Sequence, residues 1–108
     1  MMKKFGVWEV EEAWKHAEDG GQALHIHNII VDYDKAPSCF VREVESGRMI
    51  AHLFDKDRER LEKTARRLGV RVILVERPGK KGQHIDLCGG PLRKAIAECD
   101  QDRQGELF

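Results

Sequence analysis

The side chains in this sequence best suited to chemistry are two histidines and two aspartates: Asp32, His52, His84 and Asp86. A histidine beside an aspartate can act as a general base, the carboxylate fixing the imidazole tautomer. The same groups can ligate a divalent metal, although spacing alone assigns no metal here. Asp32 follows the apolar run Ile29-Ile30-Val31 at a strand end, and His52 shares a strand face with Ile50 and Phe54. These positions make a small hydrolase with an Asp/His site one expectation. A histidine satisfied inside the core, with aspartates capping turns, accounts for the same residues without any reaction.

A second candidate is the corner His84-Ile85-Asp86-Leu87-Cys88-Gly89-Gly90-Pro91. Ligands of open α/β sheets sit beyond the carboxyl ends of strands. A Gly-Gly turn admits a ligand close to the backbone, and the helix that follows offers unpaired N–H groups at its positive end. Gly89, Gly90, Arg93 and Lys94 would then bind a phosphate or carboxylate, with Lys80 and Lys81 adding charge. Pro91 removes one donor, and a plain tight turn that starts a helix explains the same string. Cys88 near a helix N-terminus would have a lowered pKa in principle, but a buried thiol is the simpler reading. His25-x-His27 points two imidazoles to one strand face and could begin a zinc site with Cys39 or Cys88. Alternating polar positions on a half-exposed strand explain that pair more simply.

The elements that must position these residues follow from periodicity. Val7, Val10, Trp14 and Ala17 recur at helical spacing, and Gly20-Gly21 ends that helix, predicted over about residues 7–19. Residues 23–33 are rich in β-branched side chains and predict a strand, residues 39–44 a short one, and residues 48–54 a second strong one. Asp55 or Asp57 can cap a helix with core face Leu61, Ala65 and Leu68, stopped by Gly69. Residues 70–75 (VRVILV) predict a third strong strand, parallel to the one before the helix. Residues 84–88 predict a short strand, and Leu92, Ala95, Ile96 and Cys99 mark the core face of a last helix. The expected fold is a small α/β layered sandwich, a mixed sheet of about four strands with helices packed on it. Residues 1–99 would form one domain and residues 100–108 a flexible tail.

Composition narrows the classes. A chain of 108 residues suffices for one domain without disulfides or metal. Nineteen basic and nineteen acidic residues cancel, so there is no global pull toward nucleic acid or anionic membrane. The basic residues of 56–67 are interleaved with Asp57, Glu59 and Glu62, which argues against direct nucleic-acid binding. Three cysteines without C-x-x-C spacing read as reduced thiols, and no apolar stretch is long enough to span a bilayer. The expected location is therefore the cytoplasm. There is no cofactor fingerprint and no strong catalytic signature, so the patterns name no reaction or substrate. Oligomeric state is equally open from sequence.

Val31-Asp32, then Gly47-Arg48-Met49 with His52, then Leu68-Gly69, then His84 and Asp86 with a later Arg93 or Lys94 and Ala95, form an ordered set. This set resembles a family of small bacterial and phage domains of unknown function, over roughly residues 29–97. The resemblance implies a small α/β accessory domain and brings no activity with it. The chain departs from the pattern by a longer segment between Asp32 and Gly47 and by its N-terminal helix. The string Asp86-Leu87-Cys88-Gly89-Gly90-Pro91 is similar to strings in the editing regions of threonyl- and alanyl-tRNA synthetases. The H-x-x-x-H partner of those sites is missing, and no histidine follows Cys88. The last five residues, Gln104-Gly105-Glu106-Leu107-Phe108, resemble the bacterial sliding-clamp-binding pentapeptide. Gln104, Leu107 and Phe108 match it, while Gly105 replaces the usual leucine. That resemblance implies a replication or repair accessory docking on a clamp. Folding of Leu107 and Phe108 onto the domain's own surface is the alternative.

Overall fold

The computed structural model of the chain describes the backbone of residues 2–27 and 50–106 and the side chains of 2–26 and 50–100. The first element is a strand, β1 (Met2–Phe5). Its Met2 and Phe5 are both buried, in two different hydrophobic clusters on opposite faces of the sheet, as the two-residue period of a strand requires. Helix α1 (Val10–Glu18) follows, with Glu11 and Glu12 in its first turn and Lys15 and His16 in its last, matching the helix dipole. Strands β2 (Gln22–His27) and β3 (Ile50–Asp55) come next, then helix α2 (Arg58–Leu68). Strand β4 (His84–Leu87) and helix α3 (Gly89–Glu106) complete the order.

The four strands form one sheet in the order β1-β2-β3-β4. β1 is parallel to β2, and the other two pairings are antiparallel. One face carries Met2, Leu24, Ala51, Leu53, Ile85 and Leu87, covered by Leu61, Ala65 and Leu68 of α2 and Leu92, Ala95 and Cys99 of α3. The opposite face carries Phe5, Ala23 and Phe54 against Ala13 and Ala17 of α1. The fold is thus the expected α/β sandwich with a mixed sheet, in three layers. No helix among the described residues is long and apolar enough to cross a membrane.

Asp57 is the cap of α2, its Oδ1 accepting from Arg60 N at 3.1 Å, and Gly69 ends that helix at a φ of 91°. Three expectations are corrected. The N-terminal helix begins at Val10, and its inward face is Ala13 and Ala17, with the expected Trp14 packed half-buried against Phe54, but without Val7 and Val10. Val7 and Val10 are exposed. β1 occupies residues to which the sequence assigned no element. Residues 70–75 form no strand: Val70, Ile73 and Val75 pack half-buried against the larger core, while Val72 and Leu74 are 72% and 62% exposed. The expected parallel partner of β3 is replaced by antiparallel β4, joined to the preceding segment by a single bridge between Glu76 and His84. A β-branched run favours extended backbone but does not choose its ladder partner. The expected strand over 39–44 and the end of the one over 23–33 lie outside the described residues.

Candidate functional site

Register creates the site. His25 on β2 lies directly opposite His52 on β3, and His52 lies opposite Asp86 on β4. His84, two residues before Asp86, points to the same face and pairs with Phe54. This is the α1 face of the sheet. α1 packs on β1, β2 and β3, and the histidines lie at the β3–β4 end of that face.

Both imidazoles address one oxygen. Asp86 Oδ1 is 3.3 Å from His52 Nε2 and 3.6 Å from His84 Nε2. The two rings stack with centroids 4.4 Å apart and planes 22° from parallel, and Phe54 meets His84 edge-on at 5.2 Å. His84 is the more enclosed of the pair. Its Nδ1 lies 2.7 Å from the Gly82 carbonyl. A carbonyl oxygen only accepts, so Nδ1 carries the hydrogen and Nε2 of the neutral ring carries the lone pair. That lone pair faces the Asp86 carboxylate.

Asp86 Oδ1 is itself buried and accepts no hydrogen bond among the described residues. Burial pushes the Asp86 carboxyl above the usual carboxylate range; positive charge on His84 opposes the shift, and Glu76 adds to it. A buried carboxylate oxygen facing a lone pair is a place prepared for a cation, either a proton or a metal. The donor atoms of His52, His84 and Asp86 all lie within 4.8 Å of one another, as ligands of one ion must.

The loop before β4 is fastened from the other side of the sheet. Gln83 is buried, its Nε2 donating to the carbonyls of Asp55 at 2.9 Å and Lys56 at 3.3 Å, while its Oε1 accepts from Gly79 N at 2.7 Å. Asp55, fully buried, accepts from Gln22 Nε2 at 2.9 Å, from Asp57 N at 2.9 Å, and from Arg60 at 2.7 and 2.8 Å. These bonds fix the end of β3 to the start of β4, and with it the Gly82 carbonyl that orients His84.

Of the residues singled out by sequence, His52, His84 and Asp86 stand together, and Asp32 lies outside the described residues. Gly89 opens α3 with a φ of 57°. Arg93 stays at that corner: a Cβ on Gly90 would lie 3.9 Å from its Nη2. Lys94 instead reaches toward the end of α2, where a Cβ on Gly69 would lie 3.7 Å from its Nζ. Lys94 there faces the negative end of the α2 dipole, so Gly89, Gly90 and Arg93 stand at the corner without it. His25 is buried under α1 with Nε2 3.1 Å from the Val7 carbonyl, and the side chain of His27 and all of Cys39 lie outside the described residues. Gln104 falls within the span of α3, and Leu107 and Phe108 are outside the described residues.

Sequence reasoning overlooked the Gly82 carbonyl and Gln83, which carry no signal in a loop of ordinary composition. It also left His25 apart from His52, although both lie in runs with strand alternation. Comparison of the chain with family models, with curated proteins and with solved structures finds no match in any of the three.

Proposed function

We propose that the chain is a small hydrolase whose working groups are His52, His84 and Asp86. One observation carries this reading: Nε2 of both imidazoles converges on a single buried carboxylate oxygen. A water hydrogen-bonded to His84 Nε2 beside this carboxylate is polarised by it. Its O–H bond breaks, the proton passes to His84 Nε2, and the oxygen forms a bond to a carbonyl or phosphoryl centre. The proton is returned to the leaving group as that bond breaks. All three side chains keep partial contact with solvent, so a substrate can reach them. Positioned proton transfer of this kind contributes about 10²–10⁴-fold in rate.

The test is hydrolysis of p-nitrophenyl acetate and p-nitrophenyl phosphate by the purified chain and by the variants His84→Gln and Asp86→Asn. Turnover lost in both, with the urea midpoint kept, supports the reading. Wild-type rates equal to those of a His52→Gln/His84→Gln/Asp86→Asn variant overturn it.

A second reading, an anionic ligand at Gly89 and Gly90, is favoured by Arg93 beside Gly90 and by an α3 first turn without acidic residues. Inorganic phosphate would then shift the Gly89 and Gly90 amide resonances in a saturable way, and Arg93→Gln would abolish the shift.

A further inference from the structure

We infer that the cluster is a site for a divalent metal ion of the zinc type, held by His52 Nε2, His84 Nε2 and Asp86 Oδ1, with a fourth position open to water. The inference rests on the reading of this cluster as the working site and names what fills it. Two neutral imidazoles and one carboxylate are a donor set for zinc-class ions, and three protein ligands with one open position is the arrangement of hydrolytic zinc.

Distances agree with the donor chemistry. Tetrahedral zinc with bonds of about 2.0–2.1 Å separates its ligand atoms by about 3.3–3.4 Å. The cluster presents 3.3 Å from His52 to Asp86 and 3.6 Å from His84 to Asp86. Octahedral sites with the same bonds would draw neighbouring donors to about 3.0 Å. Two of the three donor separations therefore already lie near the tetrahedral value, and the third is within 4.8 Å.

The hydrogen bonding points the same way. His84 is prepared as a ligand, because the Gly82 carbonyl takes its Nδ1–H and leaves Nε2 as donor atom, the support that metal-bound histidines show generally. Asp86 Oδ1 is buried without a hydrogen-bond donor among the described residues. An imidazole lone pair and a carboxylate oxygen at 3.6 Å repel each other until a cation lies between them. The ligands come from two paired strands, and the Gln83 bonds hold the loop beside them, so the donors are positioned before the ion arrives.

With the ion bound, His84 and Asp86 serve as ligands. The activated water then sits on the metal, which lowers its pKa to about 7 and lets its proton leave to solvent.

The experiment is isothermal titration of chelator-treated, dialysed full chain with zinc chloride, with cobalt(II) titrated in parallel. One equivalent of zinc is expected, together with the intense visible d–d absorption of four-coordinate cobalt. His84→Gln and Asp86→Asn should each abolish both, while Lys63→Gln, on α2 across the sheet, leaves them unchanged. Far-ultraviolet circular dichroism confirms that each variant is folded. No zinc binding by the wild-type chain, or equal binding by the folded His84→Gln/Asp86→Asn variant, overturns the inference. The two readings fail separately. Hydrolysis that survives chelation sinks the metal and keeps the hydrolase, and stoichiometric zinc without hydrolysis sinks the hydrolase and keeps the metal.

Discussion

Gln83 is the residue through which the fold's interior should govern the site. Replacing it with methionine keeps length and volume while removing its hydrogen bonds. Two of these are short, to the Asp55 carbonyl at 2.9 Å and from Gly79 N at 2.7 Å, and the third, at 3.3 Å, is weak. Each good bond contributes about 0.5–1.5 kcal/mol net, and leaving a buried partner unsatisfied adds to the loss. The expected destabilisation is about 2–3 kcal/mol, a fall of about 1–2 M in the urea midpoint of a chain this size. A second effect separates this from a general packing defect. The loop that Gln83 fastens contains Gly82, whose carbonyl selects the His84 tautomer. In Gln83→Met the carbonyl is no longer held in place. Imidazole ¹⁵N shifts of His84 should then move from a single Nδ1–H form toward an exchange average, and zinc affinity should fall about 10–100-fold, as it does when the support of a metal-bound histidine is lost. A stability lowered by less than about 0.5 kcal/mol, with the His84 tautomer unchanged, would refute the reasoning.

Three further predictions test the frame around the site. Arg60→Met leaves the fully buried Asp55 carboxylate, among the described residues, with Gln22 and Asp57 N as donors; because Arg60 is itself partly exposed, the loss should lie near about 2–3 kcal/mol rather than the full value for a buried pair, read by urea denaturation. Gly21→Ala places a Cβ 2.4 Å from His16 Nε2, so the ring must be displaced from its packing on Phe5, and a loss of about 1–3 kcal/mol is expected in the same assay. Burial first, and then the charges of Lys3 and the N-terminus, hold His16 below the ordinary imidazole pKa of 6.5. The unfolded chain therefore binds this proton more readily, and the stability linked to His16 is complete above that value and lost as pH falls below it. His16→Gln should flatten the decline in urea midpoint between about pH 7.5 and about pH 5, and an unchanged decline would assign it to other groups.

Local rules carried a good part of this fold. The cap at Asp57, the stop at Gly69 and the inward Leu61, Ala65 and Leu68 are local features, and they were legible. His52 was readable as sharing a face with Ile50 and Phe54, because strand alternation is also local. Partner choice was not readable. Residues 70–75 have the composition of a strand, yet the place beside β3 goes to the short segment 84–87, whose Ile85 and Leu87 complete the larger core. β1 was hidden for a related reason: only Met2 and Phe5 of its residues are apolar, and they serve opposite faces. The site depends most heavily on what sequence omits, since the approach of His52, His84 and Asp86 is a consequence of register, and a slip of one residue would send His84 and Asp86 to the other face.

The two faces of the sheet treat a buried carboxylate differently. Where a buried carboxylate serves the fold, as at Asp55, the chain surrounds it with donors from Gln22, Asp57 and Arg60. On the other face, Asp86 Oδ1 is buried with no hydrogen-bond donor among the described residues, beside an imidazole whose proton is directed away from it. A buried acceptor left in that state costs about 1–3 kcal/mol, and sites retained for function characteristically carry such costs. Asp86→Asn removes the charge, keeps the shape and offers an N–H to His84 Nε2. In chelator-treated protein it should raise the urea midpoint or leave it unchanged while abolishing zinc binding. A structural carboxylate would behave oppositely, as Asp55→Asn should, with a clear loss of stability. A fall of more than about 1 kcal/mol in Asp86→Asn would mean that the carboxylate holds the sheet together, and the cluster would lose its claim to be a site.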